Sequence, residues 1–138
     1  MNKDAVGAAS DAGRANDAFR ELGEAAQFYL DMLYACDPEM VDGIFHPRAQ
    51  LCTPEDGSLV FRSVEVYKEV LRGRVSPKSK GAPREDQLIT LDLATPTVGS
   101  IKVKMRINDL VFIDYLSMVK VDVGWRIVAK TYQRLLKE

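Results

Sequence analysis

The chain has 138 residues, a length that suits one domain with one core, and 46% hydrophobic against 28% charged residues is too apolar a balance for wholesale disorder. A net charge of -1 argues against the basic stripe that nucleic-acid-binding surfaces carry, so no nucleic-acid partner is expected. No apolar run approaches the ~20 residues needed to span a bilayer, which excludes a helical membrane anchor.

Residues 1–15, rich in Ala, Gly and Asp, read as a flexible tail with little to bury, and they lack the apolar centre of an export signal. A cytoplasmic location is therefore expected. The domain proper is predicted over 16–138. Phe19, Leu22, Ala26, Tyr29, Leu30 and Leu33 recur at helical spacing, with Asn16 or Asp17 as the N-cap. Asp37-Pro38-Glu39 predicts a second helix start: Asp caps, Pro pre-sets φ, and Glu suits the positive dipole end. Met40, Val41, Ile44 and Phe45 would face inward until His46-Pro47 ends it.

Short strands are predicted at 49–53 and 59–62 around the turn Pro54-Glu-Asp-Gly57. Ser63 caps a third helix with Val64, Tyr67, Val70 and Leu71 on one face. Residues 73–84 hold two Gly and two Pro among polar residues and form a long loop, a candidate lid or binding loop. Runs rich in β-branched and aromatic residues follow at 86–94, 98–107, 111–122 and 125–134, a meander of hairpins. The prediction is α+β: three N-terminal helices packed on a curved antiparallel sheet.

Strand alternation sorts that sheet into two faces. Pairing across Val123-Gly124 sets Ser117 opposite Lys130 and Tyr115 opposite Tyr132, and pairing across Asn108-Asp109-Leu110 sets Val103 opposite Tyr115. One face then carries Ile101, Val103, Met105 and Ile107 with four clustered polar exceptions, Tyr115, Ser117, Lys130 and Tyr132. An unpartnered buried polar group costs roughly 1–3 kcal/mol, so such a cluster suits a hydrated or ligand-filled cavity. With Tyr29 and Leu33 of the first helix these four make the expected ligand-binding set. The competing reading is a β-bulge that turns Lys130 outward while the tyrosine hydroxyls reach the rim. The other face holds Phe112, Leu116, Met118 and Ile127, an apolar island fringed by Lys102, Lys104, Arg106 and Asp114. Such islands mark interfaces, so a homodimer through this outer face is expected, with Arg106 and Asp114 paired at its edge.

From Asp109 to Lys130 the chain carries the pattern F-x-D-Y-L-S-φ-φ-K-φ-x-x-x-W-x-I-V-x-K, in which φ is apolar. Phe112, Asp114, Tyr115, Leu116, Ser117, Lys120, Trp125, Ile127, Val128 and Lys130 supply it. The pattern resembles the nuclear-transport-factor-2-like superfamily, in particular the group labelled "putative lumazine-binding", which is related to polyketide-cyclase-like and ketosteroid-isomerase-like branches. Ile44-Phe-His-Pro-Arg-Ala-Gln-Leu51 and the loop Ser76–Arg84 are similar to that group as well. The resemblance spans about residues 17–134. It implies a cone-shaped, cystatin-like domain with a pocket under the first helix, often dimeric through the sheet. For the isomerase branch it implies a tyrosine donor at Tyr29, a carboxylate base near Thr53 and an aspartic-acid donor at Ser117. Only the first matches in residue type, and flavin or lumazine is not favoured as the ligand.

Of the remaining chemistry, His46 is the one residue that titrates near neutrality unaided, and Asp42 could orient it as a base. The duller role is to cap a helix end. Lys130 beside Tyr132 and Ser117 suits anchoring of an anion, or a base dyad if burial lowers its pKa. Arg72, Arg74, Lys78, Lys80 and Arg84 around the long loop are a solvated charge run or a steering field. Cys36 and Cys52 read as small buried apolar residues, and the scarcity of Cys and His leaves no metal site and no cofactor in prospect. The expected function is a small-molecule-binding domain. The alternative is a lyase, isomerase or cyclase working by general acid/base chemistry on a small cyclic or polyketide-like substrate.

Overall fold

Alanine at positions 5, 8, 9, 12, 15 and 18 gives the first segment a strong helical bias, and no proline interrupts it. In the computed structural model, which describes residues 3–135 and side chains from residue 13, helix α1 runs unbroken over Lys3–Ala35. The backbone of residues 3–15 is thus helical where a tail was expected, and Asn16 and Asp17 cap nothing. Residues 1 and 2 lie outside the described residues. Ala18, Leu22, Ala26, Tyr29, Met32 and Leu33 form the buried stripe, whereas Phe19 is exposed. The helix stops where Cys36 turns left-handed (φ 47) and the Asp37 N–H reaches back to the Met32 carbonyl, a Schellman-type closure.

Asp37 then caps a 3-10 helix, Pro38–Gly43, accepting from the Glu39 N–H as expected. Strand β1 (Phe45–Glu55) turns through Asp56-Gly57, both at positive φ, into β2 (Ser58–Ser63). The Ser63 hydroxyl caps α2 (Val64–Arg72) by accepting from the Val66 N–H, and α2 buries Val64, Tyr67 and Leu71. A short 3-10 turn, Lys78–Lys80, sits in the predicted loop. Strands β3 (Asp86–Thr95), β4 (Val98–Ile107), β5 (Leu110–Val121) and β6 (Gly124–Leu135) follow.

The six strands lie in the order β2-β1-β6-β5-β4-β3. All neighbours are antiparallel except β1 and β6, which run parallel, so the sheet is mixed. The third helix follows the first two strands instead of preceding the sheet, and the second is 3-10 in type. Helix α1 packs on β3, β4 and β6, closest at Gly99. A Cβ there would stand 2.7 Å from the Asp92 carbonyl oxygen of the neighbouring strand and 2.9 Å from Leu22 Cδ2, so the backbone of β3 demands glycine and Leu22 packs into the space it leaves.

Both registers of β5 depart from the expected ones. The β5–β6 hairpin turns at Asp122-Val123, not Val123-Gly124, so Leu116 lies opposite Lys130 where Ser117 was expected, and Asp114 opposite Tyr132 where Tyr115 was expected. The β4–β5 register departs by a single residue. The connection is only Asn108-Asp109, with Asn108 at φ 57, and Leu110 pairs directly with Ile107. Val103 therefore lies opposite Asp114, not Tyr115. A slip of one residue moves every side chain of a strand to the other face. Phe112, Asp114, Leu116 and Met118 accordingly join Ile101, Val103 and Met105 beneath the helices, and Tyr115 and Ser117 turn outward. A bulge between Ser117 and Met118 keeps Ile127 on the inner face together with Lys130. Leu116, Met118 and Ile127 are core residues, and Phe112 is half-buried. The dimer patch expected from these four does not exist.

Candidate functional site

The inner face changes character along α1. Under Leu22 and Ala26 it is wholly apolar. Under Tyr29 and Leu33 it carries charge. Asp114 lies opposite Tyr132 and Leu116 opposite Lys130, which makes the carboxylate and the ammonium diagonal neighbours on adjacent strands. Asp114 is 1% exposed and Lys130 5%, so this is a buried pair. Lys130 Nζ stands 3.6 Å from Asp114 Oδ2. Tyr29, from α1, donates its hydroxyl proton to the same oxygen at 2.5 Å. Tyr67, brought in by the capped helix α2, accepts from Lys130 Nζ at 3.5 Å. The ammonium also sits 4.5 Å, 5.0 Å and 5.5 Å from the ring centroids of Tyr67, Tyr132 and Tyr29, an aromatic cage about a cation.

Burial by itself would push the Lys130 ammonium towards its neutral form. The Asp114 charge and the tyrosine contacts outweigh it and hold the pKa above the usual 10.5. Lys130 is therefore a fixed cation at neutral pH, not the free base of a Tyr–Lys dyad. Burial, reinforced by the Asp114 charge, raises Tyr29 well above 10.0, and burial raises Tyr67 in spite of the Lys130 charge. Both remain neutral hydroxyls.

One atom in this network is left over. Asp114 Oδ1 is buried without a hydrogen-bond partner among the described residues. Asp114 and Lys130 line a narrow, water-sized cleft of about 20 Å³, together with Leu33, Tyr67, Phe112 and Tyr132. Two guanidinium groups, Arg62 and Arg74, complete the wall.

Of the expected ligand-binding set, Tyr29, Leu33, Lys130 and Tyr132 are thus brought together. Tyr115 and Ser117 are not: Tyr115 is 57% exposed under the Lys102 ammonium, on the far side of the sheet. Asp114 and Tyr67 take their places. Asp114 was expected beside Arg106 on the outer face, but Arg106 pairs with Glu85. The missed signal is Asn108-Asp109, a two-residue hairpin turn in its own right. His46 stands apart. Its Nδ1 accepts from the Arg48 N–H, and Asp42, its expected partner, is held by Lys68. Around the long loop, Arg72 is tied to Glu69 and Arg84 to Asp31 and Asp86, and only Arg74 reaches the cleft. Cys36 is buried and Cys52 half-buried, both as free thiols. Among the described residues no three metal-type ligands converge, and no helix is long and apolar enough to cross a membrane.

A family model described as "Putative lumazine-binding" matches residues 17–133. Among solved structures, an NTF2-like protein of unknown function from Silicibacter pomeroyi superposes with a TM-score of 0.76 at 16% identity, covering 87% of this chain and 98% of its own. A second such protein, from Shewanella baltica, gives 0.76 at 18% identity over 86% and 94%. A ketosteroid isomerase-like protein from Erwinia carotovora atroseptica gives 0.67 at 11% identity over 88% and 99%. At these identities the likeness establishes the NTF2-like, cystatin-like fold. No curated protein matches the sequence.

Proposed function

The chain belongs to the family described as "Putative lumazine-binding", and from that membership and the buried site we infer that it is a small-molecule-binding domain whose pocket lies between α1 and the sheet. The observation that carries this reading is Asp114 Oδ1, a buried carboxylate oxygen left unpartnered in a cleft. A buried charge that keeps an open valence costs stability, and a ligand donor would complete it. Tyr29, Asp114, Lys130, Tyr67 and Tyr132 form the recognition end, with Leu33 and Phe112 as apolar wall. A thermal-shift screen against a metabolite library tests the reading, because a ligand that binds only the folded state raises its apparent stability. A hit lost in Asp114→Asn supports the pocket. Hits that bind this variant unchanged place binding elsewhere.

A second reading, a lyase, isomerase or cyclase working by general acid/base catalysis, draws on the same atom as a proton acceptor beside neutral tyrosine hydroxyls. Turnover of cyclic enols by the wild-type chain, absent in Asp114→Asn, would favour it over binding alone.

Self-association through the outer sheet face remains part of the proposal, with different residues. That face now carries Phe61 (61% exposed), Leu59 (55%) and Tyr115, with Ile113 and Ala129 half-buried between them. Pairing this patch across a two-fold axis would cover it. Light scattering on Tyr115→Glu tests the assignment: a dimer split by the substitution supports it, and a monomeric wild type refutes it.

A further inference from the structure

Strand β2 places its side chains against expectation. Leu59 and Phe61 face outward and are exposed, whereas Arg62, opposite the fully buried Leu51, points inward. Arg62 lines the cleft that holds Asp114 and Lys130. Arg74 lines it too, its guanidinium 5.3 Å over the Phe112 ring. Among the described residues neither arginine has an ion-pair partner, although Arg72 and Arg84 on either side of Arg74 are paired. Three cationic side chains and one carboxylate therefore line the cleft, and that carboxylate is already shared with Lys130. The wall holds two positive charges in excess. Guanidinium groups offer planar, forked donors that match a carboxylate, and a low-dielectric wall of Leu33 and Phe112 strengthens such a pairing.

Resting on the pocket reading above, we propose that the cleft takes a small organic acid bearing a hydroxyl or amine donor, the acid group held by Arg62 and Arg74 and the donor by Asp114 Oδ1. The two ends of the cleft ask for opposite things. Unpaired guanidinium groups call for negative charge, and the orphaned carboxylate oxygen calls for a proton donor. A neutral molecule leaves the arginines unmatched, and an anion without a donor leaves Asp114 unmatched.

Protein-observed NMR titration of the full chain tests this with three small acids of increasing reach, glycolate, 3-hydroxypropanoate and 4-hydroxybutanoate, each against its methyl ester. At least one acid should shift the resonances of Leu33, Tyr67 and Phe112 and bind about tenfold or more tighter than its ester. Arg62→Gln or Arg74→Gln should remove most of that preference, and Arg62→Lys should keep part of it, because charge without the fork remains. Esters that bind at the cleft as well as the acids overturn the anion assignment and leave the pocket standing. An acid preference unchanged in both glutamine variants overturns it as well. If neither acid nor ester shifts the cleft resonances, the pocket reading falls along with it.

Discussion

The two ends of the surface beneath α1 share strand β5 and differ in kind. Under Leu22 the sheet offers Gly99, Ile101 and Met118, and the Leu22 side chain fills the space left by the missing Cβ of Gly99. Under Tyr29, β5 and β6 offer Asp114 and Lys130, a buried pair with one oxygen unmatched. Apolar contact at the first end returns stability for every methylene buried. At the second end, desolvation of two charges consumes much of what their attraction gives back. One end holds the fold together, and the other is retained in spite of it. A buried polar cluster that a few apolar substitutions could replace contributes little net stability, which is what the proposed binding role asks of it.

The hardest test of that contrast is to break the pair from one side. Asp114→Ala strands a buried ammonium and should destabilise by about 3–5 kcal/mol in chemical denaturation. At the apolar end, Met118→Ala removes a fully buried side chain with no polar consequence, and about 2–5 kcal/mol is expected. Converting the charged end to the apolar kind sharpens the comparison. The double variant Asp114→Leu, Lys130→Met should be as stable as the wild type or up to about 1–4 kcal/mol more so, with ligand binding abolished. A double variant that unfolds would mean that the pair is structural.

The charged end should also respond to alkali. Lys130, Tyr29 and Tyr67 all have folded-state pKa values raised above their ordinary ones, so their contribution is complete at neutral pH and drains away as pH climbs. The loss should begin near pH ~10, where the unfolded tyrosines release their protons, at roughly 1.4 kcal/mol per pH unit for each proton lost. Urea titrations across that range should show a shallower fall in Tyr29→Phe than in the wild type. The smallest effect belongs to the other side of the sheet. Tyr115→Ser should change stability by no more than about 0.5 kcal/mol at a concentration where the chain is monomeric.

These two ends were not equally legible in the sequence. The apolar end follows from periodicity, since Leu22, Ala26, Ile101 and Met105 fall on helical and alternating patterns that leave little choice. Caps at Asp37 and Ser63 and all six strands follow from local residue chemistry in the same way. The charged end depends on which residues of β5 face in, and that hangs on the turns at both of its ends. Counting Leu110 into the Asn108-Asp109 turn sends Tyr115 and Ser117 inward and Asp114 out. Tyr29, Leu33, Lys130 and Tyr132 survived the error because they lie on α1 and β6. Arg62 was invisible for another reason: alternation assigns inward positions to apolar residues, and β2 does the reverse.

The parallel pairing of β1 with β6 has a consequence for how the molecule assembles. As the chain grows, β1 and β2 can close their own hairpin early, and β3 to β5 can form a meander, but the strand that joins these two pieces is the last of the six. Until β6 arrives, Leu51 and Leu116 lack the neighbour that stands between them, and Asp114 waits without its counter-charge. Non-local closure of this kind is slow, because the loop entropy must be met before the contacts reward it. The proposed recognition end is thus completed at the same moment as the sheet. A chain that has not finished folding has no half-formed binding site to offer, and binding would report, residue for residue, on the arrival of its final strand.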